Sequence, residues 1–111
     1  MNTTKMIALA AVLVFPCGAA YAGGDPDAGR AKSEACAACH GETGNGDNPA
    51  YPKLAGQYRS YLEQALRDYR SGARSNAIMA GFATPLSDAD IEDLAAYFST
   101  QDGDLHVLSG D

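Results

Sequence analysis

The sequence predicts an all-α domain without a β-sheet, and three observations carry that expectation. Apolar residues recur at spacings of three and four in three separate stretches, at residues 28–38, 58–69 and 91–98, the period of a helix with one buried face. Two of these stretches open with helix-start signals, Asp25-Pro26-Asp27 and Ser87-Asp88-Ala89-Asp90, in which a short polar side chain satisfies orphan backbone N–H groups. Between the stretches lie segments rich in Gly, Asn, Asp and Pro, which specify turns and no regular element.

Residues 1–22 read as a secretory signal peptide that is removed. Lys5 supplies a weak positive start, residues 6–15 form a nearly unbroken apolar run, and Ala20-Tyr21-Ala22 offers small residues at both cleavage positions. A retained membrane anchor competes with this reading, but Pro16 interrupts the run before it reaches a bilayer-spanning length. Cys17 leaves with the leader, since Val14-Phe15-Pro16 before it lacks the small residue that lipid modification needs. Removing 22 residues from 111 leaves 89, short for a self-sufficient apolar core, so a cross-link or cofactor is expected. The domain then occupies residues 23–100, and residues 101–111, polar with Gly103 and Gly110, read as a loose tail.

Asp25-Pro26-Asp27 opens the first helix with an N-cap, a proline at N1 and an acid in the first turn. Its expected span is residues 25–38, with Ala28, Ala31, Ala35 and Ala38 keeping one side thin. Gly29 disfavours the helix by propensity; either a second helix crosses closely there, or the glycine sits in an early, frayed turn.

The end of this stretch holds Cys36-Ala37-Ala38-Cys39-His40. Thiols three apart on one helical turn reach the two neighbouring vinyl groups of a haem, and the next residue turns its imidazole to the iron. Three plainer readings fit less well. A redox C-x-x-C follows a strand in a βαβ unit, whereas this one follows an Ala-rich helical segment. A zinc site needs four ligands, and only the distant His106 remains to join these three. A disulfide framework has no further cysteine to use once Cys17 has left.

Residues 41–51 form a loop of about a dozen residues, long enough to need a functional reason such as wrapping a haem edge. Pro52 follows; its carbonyl is free to point inward and accept from the Nδ1–H of His40, fixing the imidazole tautomer. Tyr58, Tyr61, Leu62, Ala65, Leu66 and Tyr69 then give a helix that ends at Gly72. Arg67 and Arg70 complement its dipole, while Arg74 stands beyond it. Residues 75–85 read as irregular and contain Met79, the only methionine left after the leader. A lone methionine is usually core filler, but a haem with histidine on one side needs a sixth ligand, and His106 or a lysine competes weakly. The final helix is capped by Ser87 with Asp90 at N3 and Leu86 stapled on Ile91, and closes near Ser99.

Charge narrows the partners. The net of −6 becomes −7 without Lys5, which disfavours nucleic acid and anionic membrane. Residues 86–111 carry seven acids and no base, whereas residues 53–74 carry five bases and two acids. If Lys53, Arg59 and Arg74 border the crevice, an approaching partner meets a locally basic rim.

In the order of its parts the chain resembles the class I c-type cytochromes, of the small bacterial periplasmic kind that also forms half of tandem dihaem proteins. The resemblance spans nearly all of residues 25–100 and rests on Cys36-Ala37-Ala38-Cys39-His40-Gly41, Pro52-Lys53-Leu54-Ala55-Gly56-Gln57, Tyr61-Leu62, Gly72-Ala73-Arg74 with Met79, and Leu86-Ser87-Asp88 leading to Leu94-Ala95-Ala96-Tyr97-Phe98. It implies a class I cytochrome c fold in which the first and last helices cross near Gly29 and Tyr97, over one haem c covalently bound through Cys36 and Cys39. It further implies His40 and Met79 as axial iron ligands and Pro52 as the acceptor behind His40. The chain has no tryptophan, so Tyr51, Tyr58, Arg59 or Arg74 takes the propionates in place of the indole some relatives use. The implied function is one-electron transfer between periplasmic redox proteins such as a respiratory complex, terminal oxidase or reductase, without enzymatic activity and without a membrane segment in the mature form. The alternatives are a haem enzyme or sensor that binds peroxide, nitric oxide or carbon monoxide once Met79 leaves, and the cytochrome subunit of a dehydrogenase complex.

Overall fold

A computed structural model describes residues 13–14 and 23–105, so the leader, apart from residues 13–14, and His106 lie outside the described residues. Five helices follow one another: α1 (Pro26–Lys32), α2 (Glu34–His40), α3 (Arg59–Ser71), α4 (Ala77–Ala83) and α5 (Asp88–Ser99). No strand occurs among the described residues, and none of the helices there is long and apolar enough to cross a membrane. The expected all-α architecture is therefore what the described residues adopt.

The start of α1 is as expected, with the Asp25 carboxylate accepting from Asp27 N–H at 2.9 Å and Pro26 in the first turn. The helix does not run unbroken to residue 38. It stops at Lys32, and α2 begins at Glu34. The buried Ser33 causes the break: its hydroxyl donates to the Arg30 carbonyl at 2.8 Å, and its own N–H bonds the same oxygen at 3.2 Å. A serine bonded back three residues offers the chain an alternative to the next helical turn.

The α1 helix lies across α5, and Gly29 is the crossing point. A Cβ there would stand 1.9 Å from the Asp93 carbonyl oxygen and 2.8 Å from Tyr97 Cβ, so the close-approach reading of Gly29 holds. Lys32 fastens the crossing by reaching Asp93 at 2.6 Å and Asp90 at 2.8 Å, while Asp93 also accepts from the Asp25 N–H at 2.8 Å. The α5 helix also supplies Leu94, Ala95, Tyr97 and Phe98 to a core shared with Leu62 of α3, with Cys36, Leu54, Leu66 and Leu86 packed around it.

The structure corrects two further expectations. Residues 75–85 are not irregular: Asn76 accepts from the N–H of Ile78 and of Met79 at 3.1 and 3.0 Å and thereby caps the short helix α4. Of the expected tail, residues 106–111 lie outside the described residues, and residues 101–105 are held against the domain. Asn45 donates to the Asp102 carbonyl at 2.7 Å, Lys53 pairs with Asp104, and Gly103 packs against Ala55.

Candidate haem site

Residues Cys36, Cys39 and His40 stand at i, i+3 and i+4 of α2 and so share one face. All three line a cavity of about 270 Å³ bounded by α2, the 50–57 segment, α3, α4 and α5. The walls are mainly hydrocarbon, with Leu54, Leu62, Leu66, Leu94 and Phe98 at the back. Both cysteines are free and half-buried. Burial pushes the Cys36 thiol above its ordinary range, and the neighbouring Cys39 adds to the effect. A redox-active C-x-x-C needs the reverse, a thiol whose pKa is lowered.

Immediately after His40 the chain reverses. Gly41 takes φ 83°, a Cβ on it would lie 2.7 Å from Gly46 N, and Gly46 donates its N–H to the His40 carbonyl at 2.8 Å. A non-glycine residue at either point strains the turn. The reversal brings Pro52 back to the imidazole, whose Nδ1–H donates to the Pro52 carbonyl at 2.8 Å. A carbonyl only accepts, so Nδ1 carries the hydrogen and Nε2 keeps its lone pair for a metal. The ring is 7 % exposed and meets the Tyr51 ring edge-on, with centroids 6.2 Å apart.

From α4 comes Met79, which lines the same cavity and is half-buried. Arg74 lines it too, its guanidinium 4.8 Å over the Tyr69 ring and donating to the Tyr61 hydroxyl at 3.4 Å. Tyr58 and Arg59 are elsewhere. The Arg59 guanidinium donates to the Gly23 carbonyl at 3.1 Å and pairs with Glu63 at 3.4 Å, and Tyr58 occupies the N-cap position of α3 without lining the cavity. Of the four residues put forward for the propionates, Tyr51 and Arg74 line the cavity, and Tyr58 and Arg59 do not. Sequence reasoning missed Ile78 and Phe82, which line the cavity and are 59 and 45 % exposed. It also missed Asn76, although an Asn ahead of a short apolar run is a readable cap signal.

Paired thiols on one helical face, an imidazole with a free Nε2, a thioether and apolar walls together define a site for a covalently held haem. The family model described as Cytochrome c matches residues 27–102. Cytochrome c4 of Pseudomonas aeruginosa is 49 % identical over 84 residues, which cover 76 % of this chain and 42 % of that protein. Cytochrome c-554(548) of Halomonas halodenitrificans is 48 % identical over 82 residues, covering 71 % of this chain and 99 % of that one. The structure of reduced recombinant cytochrome c4 from Pseudomonas stutzeri superposes with a TM-score of 0.70 at 45 % identity, covering 74 % of this chain and 48 % of that chain. The chain belongs to the cytochrome c family, whose covalent haem c matches the donor set just described. It spans less than half the length of the cytochrome c4 relatives it matches.

Proposed function

We propose that the protein is a periplasmic one-electron carrier whose haem c is attached through the sulfurs of Cys36 and Cys39, with His40 Nε2 and the Met79 thioether as axial ligands. The observation that carries this reading is the convergence of one oriented imidazole and one thioether on a single apolar cavity. When bound, the haem supplies a one-electron Fe(III)/Fe(II) couple, and an axial methionine raises its potential. The chain's own residues orient the imidazole through Pro52, exclude water with the leucines and Phe98, and place Arg74, backed by Tyr61 and Tyr69, for a propionate. Arg59 is left out of that role because its guanidinium is engaged with Gly23 and Glu63.

Among the described residues lining the cavity there is no carboxylate and no imidazole besides His40, the side chains that most often do acid–base work near neutral pH. That supports a carrier over an enzyme or a sensor. Partners are other redox proteins, a respiratory complex, terminal oxidase or reductase among them. The leader expected at residues 1–22 supports export, and with it the periplasm.

A visible spectrum of the purified protein tests this reading. A low-spin haem with the weak far-red absorption of a thioether–iron bond, and no carbon monoxide binding by the ferrous form, is the expected result. A high-spin spectrum with ready carbon monoxide binding overturns it in favour of a ligand-binding haem.

A further inference from the structure

The segment 72–87 delivers Met79 to the cavity, and little holds it. Its helix α4 has seven residues; Ala83 is fully buried, but Ile78 and Phe82 stand largely in solvent. Among the described residues, side chains at three positions link this segment to the preceding helix by hydrogen bonds, one of them the Ser71 hydroxyl, which accepts locally from the Ala73 N–H at 3.3 Å. Arg74, near the segment's start, bonds Tyr61. Arg70, from the last turn of α3, reaches the far end: it donates to the Leu86 carbonyl at 3.0 Å and to the Asp88 carboxylate at 2.7 Å.

A dipole effect accounts for a cation at the end of α3 but not for two directed bonds from one guanidinium to acceptors sixteen and eighteen residues on. The planar fork of arginine meets two acceptors at once, which a lysine ammonium on a flexible stem does less well. Leu86 also packs on the core. Fixing its carbonyl therefore closes the segment onto α3 and restricts where α4 sits. The Asp88 carboxyl is held below its ordinary range chiefly by its bond to Arg70, in keeping with a formed pair.

We propose that Arg70 is a positioning residue for Met79, clamping the C-terminal end of the segment so that the thioether stays in place at the haem. The inference rests on the reading of Met79 as axial ligand. Releasing the clamp restores backbone freedom to the segment, so the thioether leaves the iron more often and an external ligand enters faster.

The experiment uses the haem-loaded protein and carbon monoxide as the probe. It reads the far-red absorption of the ferric form, the rate of carbon monoxide binding to the ferrous form, and helical circular dichroism. In Arg70→Gln the helical signal stays native, the far-red band weakens, and carbon monoxide binds about tenfold faster, the factor expected for a lost hydrogen bond to a charged group. Arg70→Lys recovers part of the effect. Arg67→Gln, one turn earlier and paired with Glu63 and Glu92 rather than with this segment, leaves both optical readouts unchanged. A wild type that lacks the band overturns the Met79 reading and the clamp with it. A wild type that has the band, beside an Arg70→Gln protein identical to it in band and rate, overturns the clamp alone. If Arg70→Gln fails to fold, Asp88→Asn and Arg70→Lys decide: a weaker band and faster binding in both support the clamp, and unchanged behaviour in both overturns it.

Discussion

His40 donates its Nδ1–H to the main-chain carbonyl of Pro52 at 2.8 Å, across twelve residues of sequence. Because the acceptor is backbone, replacing the proline side chain does not remove it. What Pro52→Ala removes is the ring that restricts the unfolded chain, a loss of about 0.4–1 kcal/mol. The expected outcome is a small drop in unfolding free energy with the haem spectrum unchanged. Equilibrium denaturation followed at the Soret band checks both halves.

Gly29 sets two effects against each other. Alanine is the better helix former by about 1 kcal/mol, but its Cβ would sit 1.9 Å from the Asp93 carbonyl oxygen. That neighbour is helix backbone, which moves only if α1 and α5 separate, and overpacking of this kind costs about 1–3 kcal/mol. With backbone this close the cost falls at the upper end of that range and the steric effect wins: Gly29→Ala destabilises by up to about 2 kcal/mol net. Thermal unfolding of the haem-loaded protein reads it, and a neutral or raised Tm would refute the crossing as a constraint.

The crossing is also fastened electrostatically. The Asp90 carboxyl is lowered to about 2, first by its bond to Lys32 and then by the Ser87 backbone and hydroxyl. Asp93 is lowered too, first by the Asp25 N–H and then by Lys32. A carboxylate whose folded pKa is depressed adds stability that is present above its unfolded value and is lost as pH falls through the folded value. Lys32→Met should therefore be less stable than wild type at neutral pH. The gap should be constant down to about pH 4, where free aspartates titrate, and should close toward pH 2. Denaturant midpoints at several pH values measure it; a gap that persists at pH 2 assigns the loss to packing of the Lys32 stem instead.

How far the sequence reached depended on whether the deciding interaction was local. The Cys36 to His40 cluster was legible because its geometry is a helix period, and the Pro52 contact because a proline, without an N–H, offers its backbone only as an acceptor. The break at Ser33 was not, since a serine inside an Ala-rich run is neutral until its hydroxyl turns to the Arg30 carbonyl. The α4 helix was hidden by Gly81 and Pro85, although Asn76 announced it. Proximity in sequence misplaced Arg59. It precedes Tyr61 by two residues, but that offset rotates its side chain away from the cavity, toward Gly23 and Glu63.

That placement bears on how a redox partner docks. Of the three bases expected to form a basic rim, Lys53 and Arg74 line the cavity, Lys53 being neutralised by Asp104, while Arg59 is paired with Glu63 away from it. Beside Arg74, the mouth exposes a large ring and alkyl surface: Tyr61, Ile78 and Phe82 line the cavity and are 50, 59 and 45 % exposed, and residues 75–87 carry no charge at all. Exposed apolar contacts hold an encounter complex without long-range steering. Electron transfer to a terminal oxidase preparation should accordingly be insensitive to Arg59→Glu. Phe82→Ser should slow it about fivefold, the size of a 1 kcal/mol contact, by the same factor at low and high ionic strength. Stopped-flow rates across a salt series check this. A Phe82→Ser protein with wild-type rates, or an Arg59→Glu protein whose rate falls at low salt and recovers at high salt, would return docking to the basic residues.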